Sequence, residues 1–292
     1  MKIFIPSYNR PLTATTPALL DDCGVDYILV LRPSQVKLYR ENPRFRNNPH
    51  CHIAVTDGEL GLAAARESCR SIVAPGEWCL QLDDNIRGFT AAERSFYTST
   101  DDVGCQPPRA DYDQVLNVPV SFNQFYQHIV EDSIIVAEER GANIIAFSPH
   151  ENPYFRRFKF RSVAYTQNKA VLLRNSGISW DQSNGHDAME EYALCAAQQL
   201  EYGQVLVNYY GRPVARHYEP GGLGPYQARL PAKIAACEDL LHRFSGFFRR
   251  ACAKRSQGIK EGELMLRWRT LDQIEKWRRT MNSISSTLLI EP

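Results

Sequence analysis

The 292-residue sequence has no long hydrophobic run and no excess of one charge. A membrane helix needs about 20 consecutive apolar residues, and no segment approaches that length. The apolar start of the sequence is interrupted by Pro6, so we expect that it is not a secretory signal peptide. The 34 Lys+Arg nearly balance the 33 Asp+Glu, which excludes a uniformly basic nucleic-acid binder but not a local basic surface.

The eight cysteines are scattered, and no two of them are arranged as C-x-x-C. Such pairs are typical of structural zinc sites and of redox motifs. Several of the cysteines lie in apolar segments, where a free thiol behaves as a small buried hydrophobe. We therefore expect reduced cysteines, no zinc site and a cytoplasmic location.

Composition places the chain among globular proteins, since 43% of its residues are hydrophobic and 23% are charged. Short apolar runs alternate with helical patterns along most of its length. Predicted strands cover residues 2–5, 25–31, 52–55, 78–82, 144–147, 164–173 and 205–207, and predicted helices cover residues 16–20, 62–70, 122–140 and 187–200. This alternation indicates an α/β fold with a mostly parallel sheet flanked by helices.

Two segments depart from the alternation. Residues 88–120 are polar, contain Pro107-Pro108 and have little periodicity, which indicates a loop insertion. From Pro231 onward the pattern is helical and rich in basic residues. We therefore expect a main domain over residues 1–225 and a basic helical extension over residues 226–292.

Asp83, Asp84 and Asn85 directly follow the apolar run Trp78–Leu82. Open α/β sheets bind ligands at the carboxyl ends of their strands, so the run places three oxygen-bearing side chains at such an edge. Mg²⁺ and Mn²⁺ prefer oxygen ligands and often share them with substrate phosphates. The pattern predicts a divalent-metal site, with a solvated polar turn as the alternative.

A second acidic group, made of Asp187, Glu190 and Glu191, opens a predicted helix. Asp187 precedes the two glutamates by three and four positions, so the side chains share one helix face. Like charges this close destabilise a protein unless something uses them. The group is a candidate for a catalytic carboxylate, and favourable charge at a helix N-terminus is the alternative.

Three motifs occur in the order and spacing found in GT-A nucleotide-sugar glycosyltransferases. They are Ile-Phe-Ile-Pro-Ser-Tyr-Asn-Arg at 3–10, Gly-Leu-Ala-Ala-Ala-Arg at 61–66 and Gln-Leu-Asp-Asp-Asn at 81–85. The chain resembles that family over residues 1–215. The resemblance implies one Rossmann-like domain in which residues 83–85 are the D-x-D motif, with Asn85 in its last position in place of aspartate.

The same resemblance assigns roles to individual residues. The implied donor-binding residues are Pro6, Ser7, Tyr8, Arg10, Arg66, Asp83, Asp84, Gly221 and Gly222. The implied metal ligands are Asp83, Asp84, Asn85 and a late histidine, His217. The implied catalytic base is Glu190 or Glu191, with Asp187 as a third candidate. The glycine-rich segment after residue 220 is either a flap over the donor or a connector to the C-terminal helices.

Two basic segments interleave cations with aromatic rings, at residues 154–161 and after residue 243. The candidate nucleic-acid contacts are Arg156, Arg157, Lys159, Arg249, Arg250, Lys254 and Arg255. Cations bind phosphates and rings stack on bases, so the mixture suits DNA. An ordinary strand, a solvated helix face or attachment to a membrane surface are the alternatives.

The detailed form of these motifs, with Gly221-Gly222 and the basic C-terminal segment, resembles the TET/JBP-associated glycosyltransferases of bacteriophages. That resemblance implies an Mn²⁺- or Mg²⁺-dependent hexosyl- or N-acetylhexosaminyltransferase in the host cytoplasm. The donor would be a UDP-sugar and the acceptor a 5-hydroxymethylpyrimidine in DNA, most typically 5-hydroxymethylcytosine. The alternatives are a GT-A enzyme acting on a polysaccharide, lipid or protein, and a catalytically silent DNA-binding module.

Overall fold

The computed structural model of the chain describes residues 1–59, 61–92, 117–151, 160–162, 169–180, 187, 189–215, 226–252, 259–268 and 270–288. Its centre is an eight-stranded sheet, accompanied by a three-stranded sheet and a two-stranded hairpin. The strands are β1 Lys2–Pro6, β2 Tyr27–Leu31, β3 Cys51–Val55, β4 Trp78–Leu82, β5 Ile86–Ala92, β6 Asn117–Val120, β7 Ile144–Phe147, β8 Phe160–Arg161, β9 Ala170–Arg174, β10 Leu206–Asn208, β11 Gly211–Ala215, β12 Phe248–Cys252 and β13 Ile259–Leu266.

Helices connect these strands and cover the central sheet. They are α1 Thr16–Asp21, α2 Pro33–Glu41, α3 Pro43–Arg46, α4 Leu62–Ser71, α5 Phe122–Phe125, α6 Glu131–Arg140, α7 Glu190–Tyr202, α8 Tyr226–Arg243 and α9 Leu271–Leu288. A π-helical turn at Tyr126–Val130 joins α5 to α6. Of the described helices, none is long and apolar enough to cross a membrane.

The central sheet has the strand order β3-β2-β1-β4-β9-β7-β10-β8. The pairs β2–β3, β1–β2, β1–β4 and β7–β10 are parallel. Strand β9 runs antiparallel to β4 and β7, and β8 runs antiparallel to β10. The predicted α/β fold with a mostly parallel sheet is therefore confirmed. The order reverses at β1, whose neighbours are β2 on one side and β4 on the other.

Successive residues of the strands face two different cores. Ile5 and Leu80 lie in a core that also contains Leu20 of α1 and Tyr39 of α2. Phe4 and Cys79, with Cys69 of α4 and Cys195 of α7, belong to a core on the opposite face. Both faces of the sheet are thus covered by helices, which explains the uninterrupted apolar runs that the sequence showed.

The predicted loop over residues 88–120 is partly wrong. Strand β5 covers its beginning and β6 its end, and together with β11 they form the three-stranded sheet. Residues 93–116 lie outside the described residues. The pairing of β5 with β11 joins segments more than a hundred residues apart, so local periodicity gave no indication of it.

The C-terminal segment contains the hairpin β12–β13 between helices α8 and α9, in addition to the expected helices. It packs on α7 through a third core, to which Ala193, Leu240 and Trp277 belong. The Arg278 guanidinium donates to the backbone oxygen of Leu200 over 2.6 Å. These contacts fix α9 against the C-terminal end of α7.

Candidate functional site

The loop after β1 and the carboxylates after β4 meet at the carboxyl edge of the sheet. The Ser7 hydroxyl donates to Asp84 Oδ2 over 2.6 Å, and Arg10 Nη1 donates to Asp84 Oδ1 over 2.5 Å. The Asp84 side chain is only 7% exposed. Burial raises the pKa of the Asp84 carboxyl, while the neighbouring Arg10 opposes that shift. Two predicted donor-binding residues, Ser7 and Arg10, therefore bind a predicted metal ligand.

Tyr39 of α2 forms hydrogen bonds with the same loop after β1. Its hydroxyl lies 2.6 Å from Ser7 Oγ and accepts the backbone N–H of Arg10 over 3.1 Å. Between Ser7 and Arg10, Asn9 has a φ of 56°, which is uncommon for a residue other than glycine. Tyr8 is 37% exposed. The loop that presents Tyr8 is thus fixed at both ends by hydrogen bonds.

Asp83 faces away from Asp84, toward helix α4. Arg66 Nη2 donates to Asp83 Oδ1 over 2.8 Å, and Arg66 Nε lies 3.5 Å from Glu190 Oε1 at the start of α7. The Arg66 side chain is 1% exposed and its guanidinium lies 5.3 Å from the centroid of the Trp180 ring. Arg66 therefore connects the first acidic group with the second from a buried position.

Lys169 completes this edge and was missed by the sequence analysis. The backbone N–H of Asp83 donates to the Lys169 carbonyl over 2.8 Å, next to the pair Leu82–Ala170 of β4 and β9. Cross-strand neighbours in an antiparallel pair place their side chains on one face, so Lys169 shares a face with Asp83. Lys169 is buried, and burial, helped by the charge of Arg212, lowers the pKa of its ammonium group.

The second acidic group has two separate environments. Asp187 Oδ1 accepts the backbone N–H of Ala63 over 3.0 Å, at the N-terminus of α4. Glu190 is buried, and burial followed by the adjacent Glu191 raises its pKa well above the ordinary value. Burial also raises the pKa of Glu191, which is half-buried at the next position. Glu190 and Glu191 are thus adjacent carboxyls whose pKa values are raised mainly by burial, whereas Asp187 caps a helix.

The described residues at this edge do not fit a divalent cation. Both oxygens of Asp84 already accept hydrogen bonds, and Asp83 is bound by Arg66. Asn85 is buried next to them. Within the described part of the chain, no three His, Cys, Asp or Glu side chains are grouped closely enough to hold a metal. The reaction proposed below therefore has no step through a metal ion.

Several predicted residues lie outside the described residues, and their placement stays a prediction. They are Arg156, Arg157, Lys159, His217, Gly221, Gly222, Lys254 and Arg255. Two candidate nucleic-acid contacts are described, and both are exposed on β12: Arg249 and Arg250. Both Nη atoms of Arg250 contact the Glu238 carboxylate at 2.5 Å. The charge of Arg250 is therefore partly neutralised within the chain. Of the predicted donor-binding residues, Pro6 is the last residue of β1.

A scan against protein-family models and a search of curated proteins each find no match. Among solved structures, the chain is similar to S. aureus TarS 1–349 in complex with UDP-GlcNAc, with 12% identity and a TM-score of 0.43 over 82% of this chain and 67% of that one. The structure of TarS 1–349 gives 12% identity and a TM-score of 0.41 over 82% and 66%. The complex of TarS 1–349 with UDP gives 12% identity and 0.38 over 71% and 57%. The chain spans about two thirds of the first two matched chains and less of the third.

Proposed function

We propose that the chain is a glycosyltransferase that moves a sugar from a UDP-sugar to the hydroxymethyl group of a 5-hydroxymethylpyrimidine in DNA, in the first place 5-hydroxymethylcytosine. One observation carries the donor half of the proposal. The loop with Ser7 and Arg10 and the carboxylates of Asp83 and Asp84 lie on the two sides of the point where the strand order reverses. Open α/β sheets bind nucleotides in the crevice at this point.

Tyr8 suits the nucleoside part of such a donor. Its ring is partly exposed, and the Arg32 guanidinium lies 4.2 Å from the ring centroid. A cation over one ring face holds the ring in place and leaves the other face for a base. The hydrogen bonds on either side of Tyr8, through Ser7 and Arg10, restrict its backbone. The nucleoside therefore binds against Tyr8 in this proposal.

The Glu190–Glu191 pair supplies the base in the transfer step. The acceptor hydroxyl oxygen forms a bond to the anomeric carbon of the sugar while the bond from that carbon to the diphosphate oxygen breaks. The electron pair of the broken bond leaves with the nucleoside diphosphate, and the hydroxyl proton passes to a carboxylate. Glu191 is the better placed acceptor of that proton, because Glu190 is fully buried and bound to Arg66.

The DNA half of the proposal is supported by the sequence resemblance and by the basic residues after Arg243. Arg249 is exposed on the hairpin strand β12, where it can meet a phosphate. A polysaccharide, lipid or protein acceptor would use the same donor site. The distinction therefore rests on a direct assay of the acceptor.

The test incubates the full chain with a nucleotide-sugar panel and a duplex that contains 5-hydroxymethylcytosine, with the unmodified duplex as control. Digestion to nucleosides and mass spectrometry should reveal the added mass of one hexose or N-acetylhexosamine on the modified base alone. Glu191→Gln should lose most of the transfer, and the exposed Glu201→Gln on the same helix should keep it. Donor hydrolysis without transfer to DNA contradicts the DNA acceptor, and absence of any donor turnover contradicts the enzyme.

A further inference from the structure

The two carboxylates after β4 each have their own arginine, supplied by a different element. Asp84 is bound by Arg10 of the β1 loop, and Asp83 by Arg66 of helix α4. Neighbouring residues at the end of a strand point to opposite faces. The oxygens of Asp83 and Asp84 therefore do not converge on one point, whereas Mg²⁺ demands near-octahedral oxygen ligands at about 2.1 Å.

Lys169 adds a third cation to the same edge. It lies directly across from Asp83, on the side of the sheet that Arg66 also occupies. Arg10, Arg66 and Lys169 thus lie around Asp83 and Asp84 at the crevice, and Arg212, which is paired with Glu151, lies near Lys169. The Asp83 side chain is 35% exposed, so solvent and ligands reach Asp83, and Lys169 is buried next to it with 8% of its surface exposed. The edge is therefore suited to an anion more than to a divalent metal ion.

We infer that Lys169 is the residue that binds the diphosphate of the donor, and that this edge neutralises the leaving diphosphate with its own cations instead of a divalent metal. The inference rests on the proposed function for the identity of the ligand. An ammonium group is a compact point charge on a flexible stem, which suits it to bind phosphate. In the transfer step Lys169 stabilises the charge that develops on the departing diphosphate.

Calorimetric titration of the full chain with UDP and with uridine tests the role of Lys169. Wild type should bind UDP equally well in EDTA and in millimolar MnCl₂. Lys169→Met should weaken UDP binding by about tenfold or more, the loss expected for one charge-assisted hydrogen bond, and leave uridine binding unchanged. Lys169→Arg should restore most of the affinity, and the exposed Lys276→Met should behave as wild type.

A second measurement follows Mn²⁺ directly, by its electron paramagnetic resonance signal with and without UDP. The signal of free Mn²⁺ should fall no further with wild type and UDP together than it falls with UDP alone. Immobilised Mn²⁺ that disappears in Asp83→Asn, with the melting temperature unchanged, overturns the inference. Equal UDP affinity of wild type and Lys169→Met overturns it as well. If wild type binds no UDP with or without Mn²⁺, the proposed function itself fails.

Discussion

Asp187 caps helix α4 from a position 124 residues further along the chain than Ala63, whose backbone N–H it accepts. The residue at the N-cap itself, Gly61, has no side chain with which to do so. A carboxylate at a helix N-terminus satisfies a backbone donor and interacts favourably with the helix dipole. The segment before α7 is thereby attached to the helix that carries Arg66.

Gly61→Ala should destabilise the chain, because the new Cβ would lie 1.5 Å from Asp187 Oδ2. The Asp187 side chain must then turn away and lose its bond to Ala63, so the cost should be about that of a lost helix cap, about 1 kcal/mol. Asp187→Ala alone removes the cap and should cost about 1 kcal/mol. Combined with Asp187→Ala, the glycine substitution should cost much less, since the clash is gone.

Urea denaturation of the four chains of this double-mutant cycle measures the coupling. Gly88→Ala is the matched control, because a Cβ there meets nothing within 4 Å. If the double mutant loses the sum of the two single losses of unfolding free energy, to within about 0.5 kcal/mol, the contact between Gly61 and Asp187 is contradicted.

Arg66→Met should be among the most damaging single substitutions. It leaves Glu190 buried without its cation and removes the partner of Asp83. Breaking a buried ion pair from one side costs about 3–5 kcal/mol. The free energy of unfolding, from urea titration, should fall by an amount of that order. As a control, Arg279→Met removes a contact to Glu275 at the surface and should have little effect on the free energy of unfolding. Equal losses for the two substitutions would contradict the stabilising contacts of Arg66 with Asp83 and Glu190.

The stability of the chain should depend on pH through Glu190. Burial and the adjacent Glu191 raise its pKa in the folded chain well above 4.5. A group with a raised folded pKa stabilises the fold fully below its unfolded pKa, and this contribution is lost as pH rises through the folded pKa. Glu190→Gln cannot ionise and avoids that loss. Its melting temperature relative to wild type should therefore rise with pH above 4.5.

Thermal melting of wild type and Glu190→Gln across this pH range measures the difference. Glu201→Gln, an exposed change on the same helix, controls for the general effect of removing a carboxyl. A difference between wild type and Glu190→Gln that is flat or falls with pH contradicts a raised pKa of the buried Glu190 carboxyl.

Much of the central sheet could be predicted from the sequence. Apolar runs that end at a proline or an aspartate mark β1 and β4, because such runs bury on both faces and polar residues stop them. The loop after β1 and the acidic residues after β4 meet at one edge, as the sequence predicts, because parallel strands end at the same edge. The helical pattern before Gly141 was also correct, since Gly141 ends α6 with a φ of 68°.

The rest depended on pairings that local patterns do not encode. Strand β9 is antiparallel to β4, so its first residues lie at the edge where β4 ends. A parallel strand would have placed Lys169 at the opposite edge, and the sequence analysis assigned it no role. Arg66 was expected to bind the donor, and that role stays a prediction. Its contacts with Asp83 and Glu190 could be seen only once α4 and α7 were packed together.

DNA binding, if the proposed acceptor is correct, should distinguish two adjacent arginines on β12. Arg250 forms an ion pair with Glu238, whereas its neighbour Arg249 lies on the other side of the strand. Arg249→Ala should weaken binding and lower the slope of log affinity against log salt by about one. Arg250→Ala should change the slope less. Glu238→Gln should strengthen binding, because it removes the negative charge that is paired with Arg250. Fluorescence anisotropy with a labelled duplex at several salt concentrations measures all three. A larger loss for Arg250→Ala than for Arg249→Ala would contradict the neutralising role of Glu238.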